Sequence, residues 1–263
     1  MTRLNTAPRL PLIIDADTLL YAAACVNMKR HDFADEDVGV CVSIDEDSAR
    51  QQVETQIDRL LELSERASPV VALTDTTNFR KTLLPSYKSN RKHVVRPEPL
   101  LSSLREWAIR KYSAVVLPSL EADDVCGILM SHPAWASERP ALFSVDKDLN
   151  QIPGLHYDAD MGELYEVSRD DGDLFFYMQV LTGDSGDGYG GCPGIGIKKA
   201  ARALAKTPMG LPRWEVVTKL YEDRGKTYAD AVVMARMAFL LRHDNYNIDT
   251  KEITSLWLPP QHS

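Results

Sequence analysis

No apolar run in the 263 residues approaches the ~20 that a membrane span requires, and residues 1–11 hold no apolar core of the kind a signal peptide carries. Cysteine is sparse: Cys25, Cys41, Cys126 and Cys192 stand far apart without a CxxC pair. That spacing argues against a zinc site and predicts reduced thiols in a cytoplasmic protein. The six histidines show no pairing with Ser or Cys that suggests a nucleophile. There is no internal repeat and no low-complexity tract. Positive charge is also short, with 30 Lys/Arg against 38 Asp/Glu, a net charge of −8 and a pI near 5.3. Those totals exclude a surface uniformly positive for nucleic acid. The apolar share of 44% and charged share of 26% are ordinary for a folded globular chain, one large domain or two smaller ones.

Short apolar runs punctuate the first 145 residues. Leu12–Ile14, Val70–Leu73, Val115–Leu117 and Ala141–Val145 read as buried strands. Helices are expected over Thr18–Val26, Ser48–Ala67 with Ser48 as N-cap, Leu100–Tyr112, and from Glu121 onward. Residues 32–47 hold seven acids and no Lys or Arg, and read as a solvated loop. Strand–helix alternation predicts an α/β fold with a parallel sheet. After about Asp173 the pattern becomes helical, so a boundary is expected there, giving domains 1–173 and 174–263.

Three predicted strands end directly at an aspartate: Asp15, Asp75 and Asp146. The fourth leads by a short turn into Glu121-Ala-Asp123-Asp124, and Asp148 follows Asp146 at DxD spacing. Ligands of open parallel sheets bind beyond the carboxyl ends of the strands. Carboxylates crowded there repel one another, and Mg²⁺, with its preference for oxygen ligands, would offset that repulsion. An Asp after a strand is also a common turn former or N-cap, and Glu121 and Asp124 suit a helix dipole regardless of function. Chance explains the convergence of every strand on acid less well.

Two further segments complete the pattern. Gly183-Asp184-Ser-Gly-Asp187 precedes Gly191-Cys-Pro-Gly194-Ile-Gly196-Ile-Lys198-Lys199. A Gly-x-Gly turn before a helix leaves backbone N–H groups free for a phosphate, and a helix–turn–helix clamp on a nucleic-acid backbone is expected. The other segment, Phe79 to Lys92, supplies Arg80, Lys81, Tyr87, Lys88, Arg91 and Lys92 beside Asp75. From Arg80 to Lys111 there are nine Lys/Arg and two acids. A phosphodiester approaching a carboxylate–metal site needs such neutralisation.

This ordered set, from Asp15 through Asp75, Tyr87-Lys-x-Asn-Arg91, Glu121-Ala-Asp-Asp124, Asp146-Lys-Asp148 and Gly183-Asp-x-x-Asp187 to Pro193-Gly-Ile-Gly-x-Lys-x-Ala200, resembles the 5′→3′ exonuclease/flap endonuclease family. Within it, the stand-alone replication exonucleases of short-tailed lytic phages are similar over roughly residues 12–206. The resemblance implies a Rossmann-like (PIN/flap-nuclease-like) sheet with a helical arch near 80–111 and a C-terminal helix–three-turn–helix module. It implies two divalent metals, Mg²⁺ with Mn²⁺ as substitute. Asp15, Asp75, Glu121, Asp123 and Asp124 match positions around the first, and Asp146, Asp148, Asp184 and Asp187 those around the second. Asp15, Asp75, Asp146 and the arch-base Lys88 are then the catalytic candidates. Arg80, Lys81, Tyr87, Lys88, Arg91, Lys92, Gly194, Gly196, Lys198 and Lys199 are the DNA-binding candidates. The Gly191–Lys199 turn matches a duplex-gripping segment that often holds K⁺. Implied partners are DNA with duplex 5′ ends, nicks and flaps, with RNA–DNA hybrid left open, for a monomer in the cytoplasm of a bacterial or phage-infected cell. Ala22 stands where many members carry a second arginine.

The residues admit other readings. Asp15-x-Asp17-Thr18 resembles the nucleophile motif of haloacid-dehalogenase-type phosphatases, which leaves Glu121–Asp124 and Asp146–Asp148 without a role. A noncatalytic DNA-binding descendant would have no need of so many acids, and a PIN-type ribonuclease no need of the C-terminal turn. Setting the nine candidate metal ligands aside leaves 29 acids against 30 Lys/Arg, so the acidic total does not oppose DNA binding.

Overall fold

The computed structural model describes residues 10–32, 40–90, 96–135, 138–205, 207 and 212–260. In chain order these form β1 (Pro11–Asp15), α1 (Asp17–Asn27), β2 (Met28–Asp32), β3 (Val40–Ile44), α2 (Glu46–Leu63), β4 (Ser68–Leu73), α3 (Arg80–Leu83), α4 (Glu98–Tyr112), β5 (Val115–Val116), α5 (Ala122–Met130), β6 (Ala141–Phe143), β7 (Gly154–Asp158), β8 (Glu163–Val167), α6 (Arg169–Thr182), α7 (Ile197–Ala205), α8 (Arg213–Glu222) and α9 (Tyr228–Ala238).

The central sheet runs β5-β4-β1-β6-β7-β8, parallel throughout except for the antiparallel edge strand β8. Both faces of its centre are covered, which is why β1 reads as a continuous apolar run rather than an alternation. Leu12 and Ile14 pack with α1, α2 and α4, while Ile13 packs with α5 on the opposite face. Val71 and Leu73 against Ala72 in β4, and Ala141 and Phe143 against Leu142 in β6, divide between the faces in the same way. After β1 the chain builds outward to β4 and β5, then crosses back to β6 on the other side of β1. The order of the sheet therefore reverses between β1 and β6, and the crevice beyond their carboxyl ends is the expected binding position of such a sheet.

The sequence expectations need several corrections. Residues 40–44, assigned to a solvated loop, form β3, which pairs antiparallel with β2. The alternation Val40-x-Val42-x-Ile44 was the available signal, outweighed by the flanking acids. Helix α2 begins two residues early, because the Asp45 carboxylate accepts from the Ser48 backbone N–H at 3.0 Å. Asp45, not Ser48, is its cap. Strands β7 and β8 were missed; four of the five residues of β8 are exposed, so its sequence carries little apolar signal.

Helices α6 to α9 enclose a second core around Phe176, Val180, Trp214, Tyr221 and Ala235. The boundary expected near residue 173 falls inside α6. The chain does not stay in this second core: Leu240, Leu241 and Tyr246 return to pack against α5 and the sheet. Gly127 of α5 is what admits them, since a Cβ at this position would lie 2.3 Å from the Leu241 carbonyl oxygen. Exchanging Gly for Ala inside a helix ordinarily stabilises it by about 1 kcal/mol. Here Gly127→Ala is expected to destabilise the protein by about 1–3 kcal/mol through overpacking, read as a lower urea midpoint at unchanged slope.

Candidate active site

The acids converge on the carboxyl edge of the sheet as the sequence predicts. Asp15 ends β1 at 3% exposure; its Oδ2 accepts from Ser144 Oγ at 2.9 Å across the switch point, and its Oδ1 has no partner. Burial first, then the charges of Asp17 and Asp146, push its carboxyl up to about 7. Asp123, in the first turn of α5, is held well above the usual carboxylate range by burial and by the charges of Asp15, Glu121 and Asp146. Asp148 is likewise raised by burial and by Asp146 and Asp184. These mutual repulsions link Asp15, Asp123, Asp146, Asp148 and Asp184 into one acidic field.

The remaining acids are quieter. Asp75 accepts from Thr77 Oγ1 at 2.6 Å and from the Ser119 backbone N–H at 2.8 Å. Burial would raise its carboxyl, but these donors bring it below the usual value. Asp146 caps a short 3-10 turn, accepting the Asp148 N–H at 2.9 Å. Asp184 accepts from the N–H groups of Gly186 and Asp187 at 2.7 and 3.2 Å, closing the Gly-rich turn on itself.

Lys88 stands among these groups in a left-handed backbone conformation (φ 55°). Its ammonium bonds Glu121 Oε1 and lies 3.5 Å from Asp187 Oδ2. Burial works against Glu121 ionising, but Arg80 and Lys88 bring it down to about 2. The Lys88 backbone N–H donates to the Asp187 carbonyl at 2.8 Å, and Asn90 Nδ2 donates to the carbonyls of Ser185 and Gly186. Residues 87–90 are thus docked on the Gly-rich turn, joining the basic segment to the C-terminal module.

Three candidates have different roles from those expected. Arg80, assigned to DNA, is 2% exposed and faces inward. It forks onto Asp124 at 2.6 and 2.9 Å and donates to the carbonyls of Met237 and Phe239, each at 2.9 Å. Asp124, assigned to a metal, is fully buried with both oxygens taken by Arg80 and a further bond from the Leu241 N–H at 3.1 Å. With the Glu121 N–H also pointing at Oδ2 from 3.4 Å, each of the carboxylate's about four lone-pair sites has a donor, and none is left for a cation. Tyr87, assigned to DNA, is 3% exposed, and its hydroxyl lies 2.7 Å from Glu121 Oε2 and 2.8 Å from Asp187 Oδ2. Its ring is unavailable for stacking on a base. Lys81, Lys198, Lys199, Gly194 and Gly196 are exposed as expected. Arg91 and Lys92, with the tip of the expected arch, lie outside the described residues.

Sequence reasoning missed a supporting group. Arg105 of α4 donates to Asp17 Oδ1 at 2.7 Å and to the Thr74 carbonyl, while the Thr74 N–H donates to Asp17 Oδ2 at 3.2 Å. This ties the ends of β1 and β4 together. It also occupies Asp17, the acid that a phosphatase reading would need free. No sequence signal distinguishes Arg105 from other charged positions of an amphipathic helix.

Among the described residues no three His, Cys, Asp or Glu side chains already stand as a metal cage. Glu121, Asp75, Asp15 and Asp148 accept instead from Lys88, Thr77, Ser144 and Lys147. The donor set still fits a hard divalent cation, because it is all oxygen and because the buried Asp15 Oδ1 is left without any partner.

Residues 11–161 match the family described as 5′-3′ exonuclease, N-terminal resolvase-like domain. The chain belongs to the 5′→3′ exonuclease family. The exodeoxyribonuclease of Enterobacteria phage T3 is 28% identical to it over 94% of this chain and 92% of that protein. The flap endonuclease Xni of Shewanella baltica OS155 is 29% identical over 70% of this chain and 76% of its own length. Among solved structures, the T5 D15 protein co-crystallised with metal ions superposes at TM-score 0.65 and 15% identity, covering 88% of this chain and 90% of that one. A product-like complex of phage T5 D15 flap endonuclease with DNA and metal ions gives TM-score 0.63 at 16% identity, over 88% and 89% of the two chains. The shared fold is the α/β sheet with its helical additions.

Proposed function

We infer that this chain is a metal-dependent 5′→3′ exonuclease and structure-specific flap endonuclease that hydrolyses DNA phosphodiesters. The observation that carries this reading is the acidic field at the sheet's switch point, with Lys88 set inside it. Two divalent cations, Mg²⁺ or in its place Mn²⁺, would supply an activated water and charge neutralisation at the leaving oxygen. Asp15, Asp75, Glu121 and Asp123 are the residues to hold the first. Asp146, Asp148, Asp184 and Asp187 are those to hold the second. Asp124 acts one step back, by fixing Arg80 against Glu121.

The chain's own groups do the rest. Lys88 would offer its ammonium to the scissile phosphate. Lys81 and the Gly191–Lys199 turn offer exposed positive charge and N–H groups to the duplex backbone. Residues 1–173 form the catalytic body and 174–263 the DNA-binding module, although 239–246 pack back on the former. The carbonyls of Pro193 and Gly194 already accept from Arg224 and Lys199, each at 2.9 Å. K⁺ is the further ion proposed for the Gly191–Lys199 turn, and replacing NaCl by KCl is then expected to tighten duplex binding.

No helix of the described residues is long and apolar enough to cross a membrane. The proposed setting is the cytoplasm, the proposed state a monomer, and the proposed substrates are duplex 5′ ends, nicks and flaps, with the DNA-paired RNA strand as a second substrate. End-labelled duplex, nicked, flapped and hybrid substrates, incubated with Mg²⁺ or with excess chelator, test this. Short products released from 5′ ends only with Mg²⁺ are expected; full activity in chelator would overturn the reading. In the same buffers, Mg²⁺ at about a hundred times its Kd should stabilise the protein by about 2.7 kcal/mol. That appears as a melting temperature several degrees higher, at roughly 2–4 °C per kcal/mol.

A further inference from the structure

The carboxyl edge of the sheet continues past Asp146 into a cavity under β7 and β8. Its volume is about 220 Å³, and its walls include Phe143, Asp146, Asn150, Tyr157, Asp158 and Tyr165. Enclosing sites for drug-sized ligands run to ~300–1,000 Å³, so this one suits a single heterocycle. None of the roles described so far uses it.

Its chemistry is specific. Tyr157 is 3% exposed, yet its hydroxyl has no hydrogen-bond partner. That oxygen has essentially no accessible surface, and the side chain packs in the core with Leu12, Ile14 and Phe143, so the polar groups the cavity offers lie elsewhere on its walls. Asn150 accepts from the Tyr165 hydroxyl at 2.9 Å through Oδ1, which orients its amide hydrogens away to donate elsewhere. Asp158 Oδ1 accepts from the N–H groups of Asp160 and Met161, leaving Oδ2 as a further acceptor. At the rim, Tyr165 is 39% exposed, with its ring backed by His156 at 5.3 Å between centroids, and Val145 is 68% exposed. Asp146, Asp158 and Asp160 border the cavity together with Lys147, whose ammonium is engaged by Asp148, so the walls are net acidic and disfavour an anion. A neutral planar group with both donors and acceptors on its edge is what these walls complement.

We propose that this cavity is a nucleobase subsite, taking the base of a nucleotide that adjoins the phosphodiester at Asp146. The Tyr165 ring is its stacking face, and the Asn150 amide and Asp158 carboxylate meet the base edge. The assignment rests on the nuclease reading, because the covalent link to a phosphate at Asp146 is what brings a base to this position. Stacking of a base on an aromatic ring supports an affinity gain of about tenfold.

The test compares dAMP with 2-deoxyribose 5-phosphate by calorimetry on the full chain in Mg²⁺. Phosphate and sugar contacts are common to both, so the difference reports the base. Binding of dAMP is expected to be about tenfold tighter or more, the difference to vanish in Tyr165→Ala, and to shrink in Asn150→Ala. In parallel, an abasic residue on one of the two sides of the scissile bond should raise KM about tenfold in the natural protein and not in Tyr165→Ala. Equal binding of the two probes, or a preference unchanged in Tyr165→Ala, overturns the subsite. If that happens while intact duplex is still cut, the subsite alone falls; if intact duplex is not cut at all, the nuclease reading falls.

Discussion

Asp15→Asn is expected to lower DNA cleavage by about three orders of magnitude or more while making the metal-free protein more stable. The loss follows from removing one carboxylate charge where a held cation contributes several kcal/mol of transition-state stabilisation. The gain follows from the cost of Asp15 in the absence of that cation. Its carboxylate is buried, one oxygen has no partner, and Asp17 and Asp146 repel it. Asparagine keeps the shape and the Ser144 contact without the charge. The sign against pH is fixed by linkage. A carboxyl raised to about 7 in the folded state, from an ordinary value near 3.8, binds its proton more tightly when folded. Its contribution to stability is therefore present below pH 4 and is lost as pH rises through 7. In chelator at pH 8 the variant should exceed the natural protein by on the order of 1–4 kcal/mol, and the gap should close toward pH 4. Urea titrations across that range, paired with cleavage assays in Mg²⁺, measure both halves. A variant less stable at pH 8 would show that Asp15 is a structural acid.

Arg80→Met should have the largest effect on stability. Each of the five guanidinium hydrogens has an acceptor: Asp124 and Glu121 carboxylates and the carbonyls of Met237 and Phe239. Removing the cation leaves Asp124 fully buried and unpaired, a situation that costs about 3–5 kcal/mol. Lysine does not rescue it, since a point charge cannot reproduce the fork. Pairing Arg80→Met with Asp124→Leu should recover part of the loss, because the stranded charge is then gone. Recovery stays incomplete: the Leu241 N–H loses its acceptor, a buried donor worth about 1–3 kcal/mol. Thermal melts of the two single variants and the double variant form the cycle. If Arg80→Met melts like the natural protein, the buried fork contributes nothing.

These two residues also mark how far the sequence could be read. Strand ends carrying Asp15, Asp75 and Asp146 were legible because a buried parallel strand is a solid apolar run, and the residue that terminates it stands out. The order of the motifs identified the family for the same reason. Whether a charged residue faces outward or inward is not encoded locally. Arg80 sits in a basic run that looks like a DNA-binding face, and only the return of residues 237–239 turns it into a buried strut. Asp124 and Asp123 are neighbours on one helix, yet one lies beneath the acidic field and one within it, a difference of about 100° around the helix axis. Strand β8 was invisible because an exposed edge strand has no apolar period to detect.

The return of the chain beside Gly127 bears on when a nuclease of this kind becomes active. The ribosome makes Arg80 157 positions before Met237 and Asp124 117 positions before Leu241. Until those late residues emerge, Arg80 and Asp124 lack the backbone partners that fix them beside Glu121. The catalytic edge of a nascent chain is accordingly unfinished while its sheet is already complete. The buried fork beside Glu121 is therefore closed only by residues made late in synthesis.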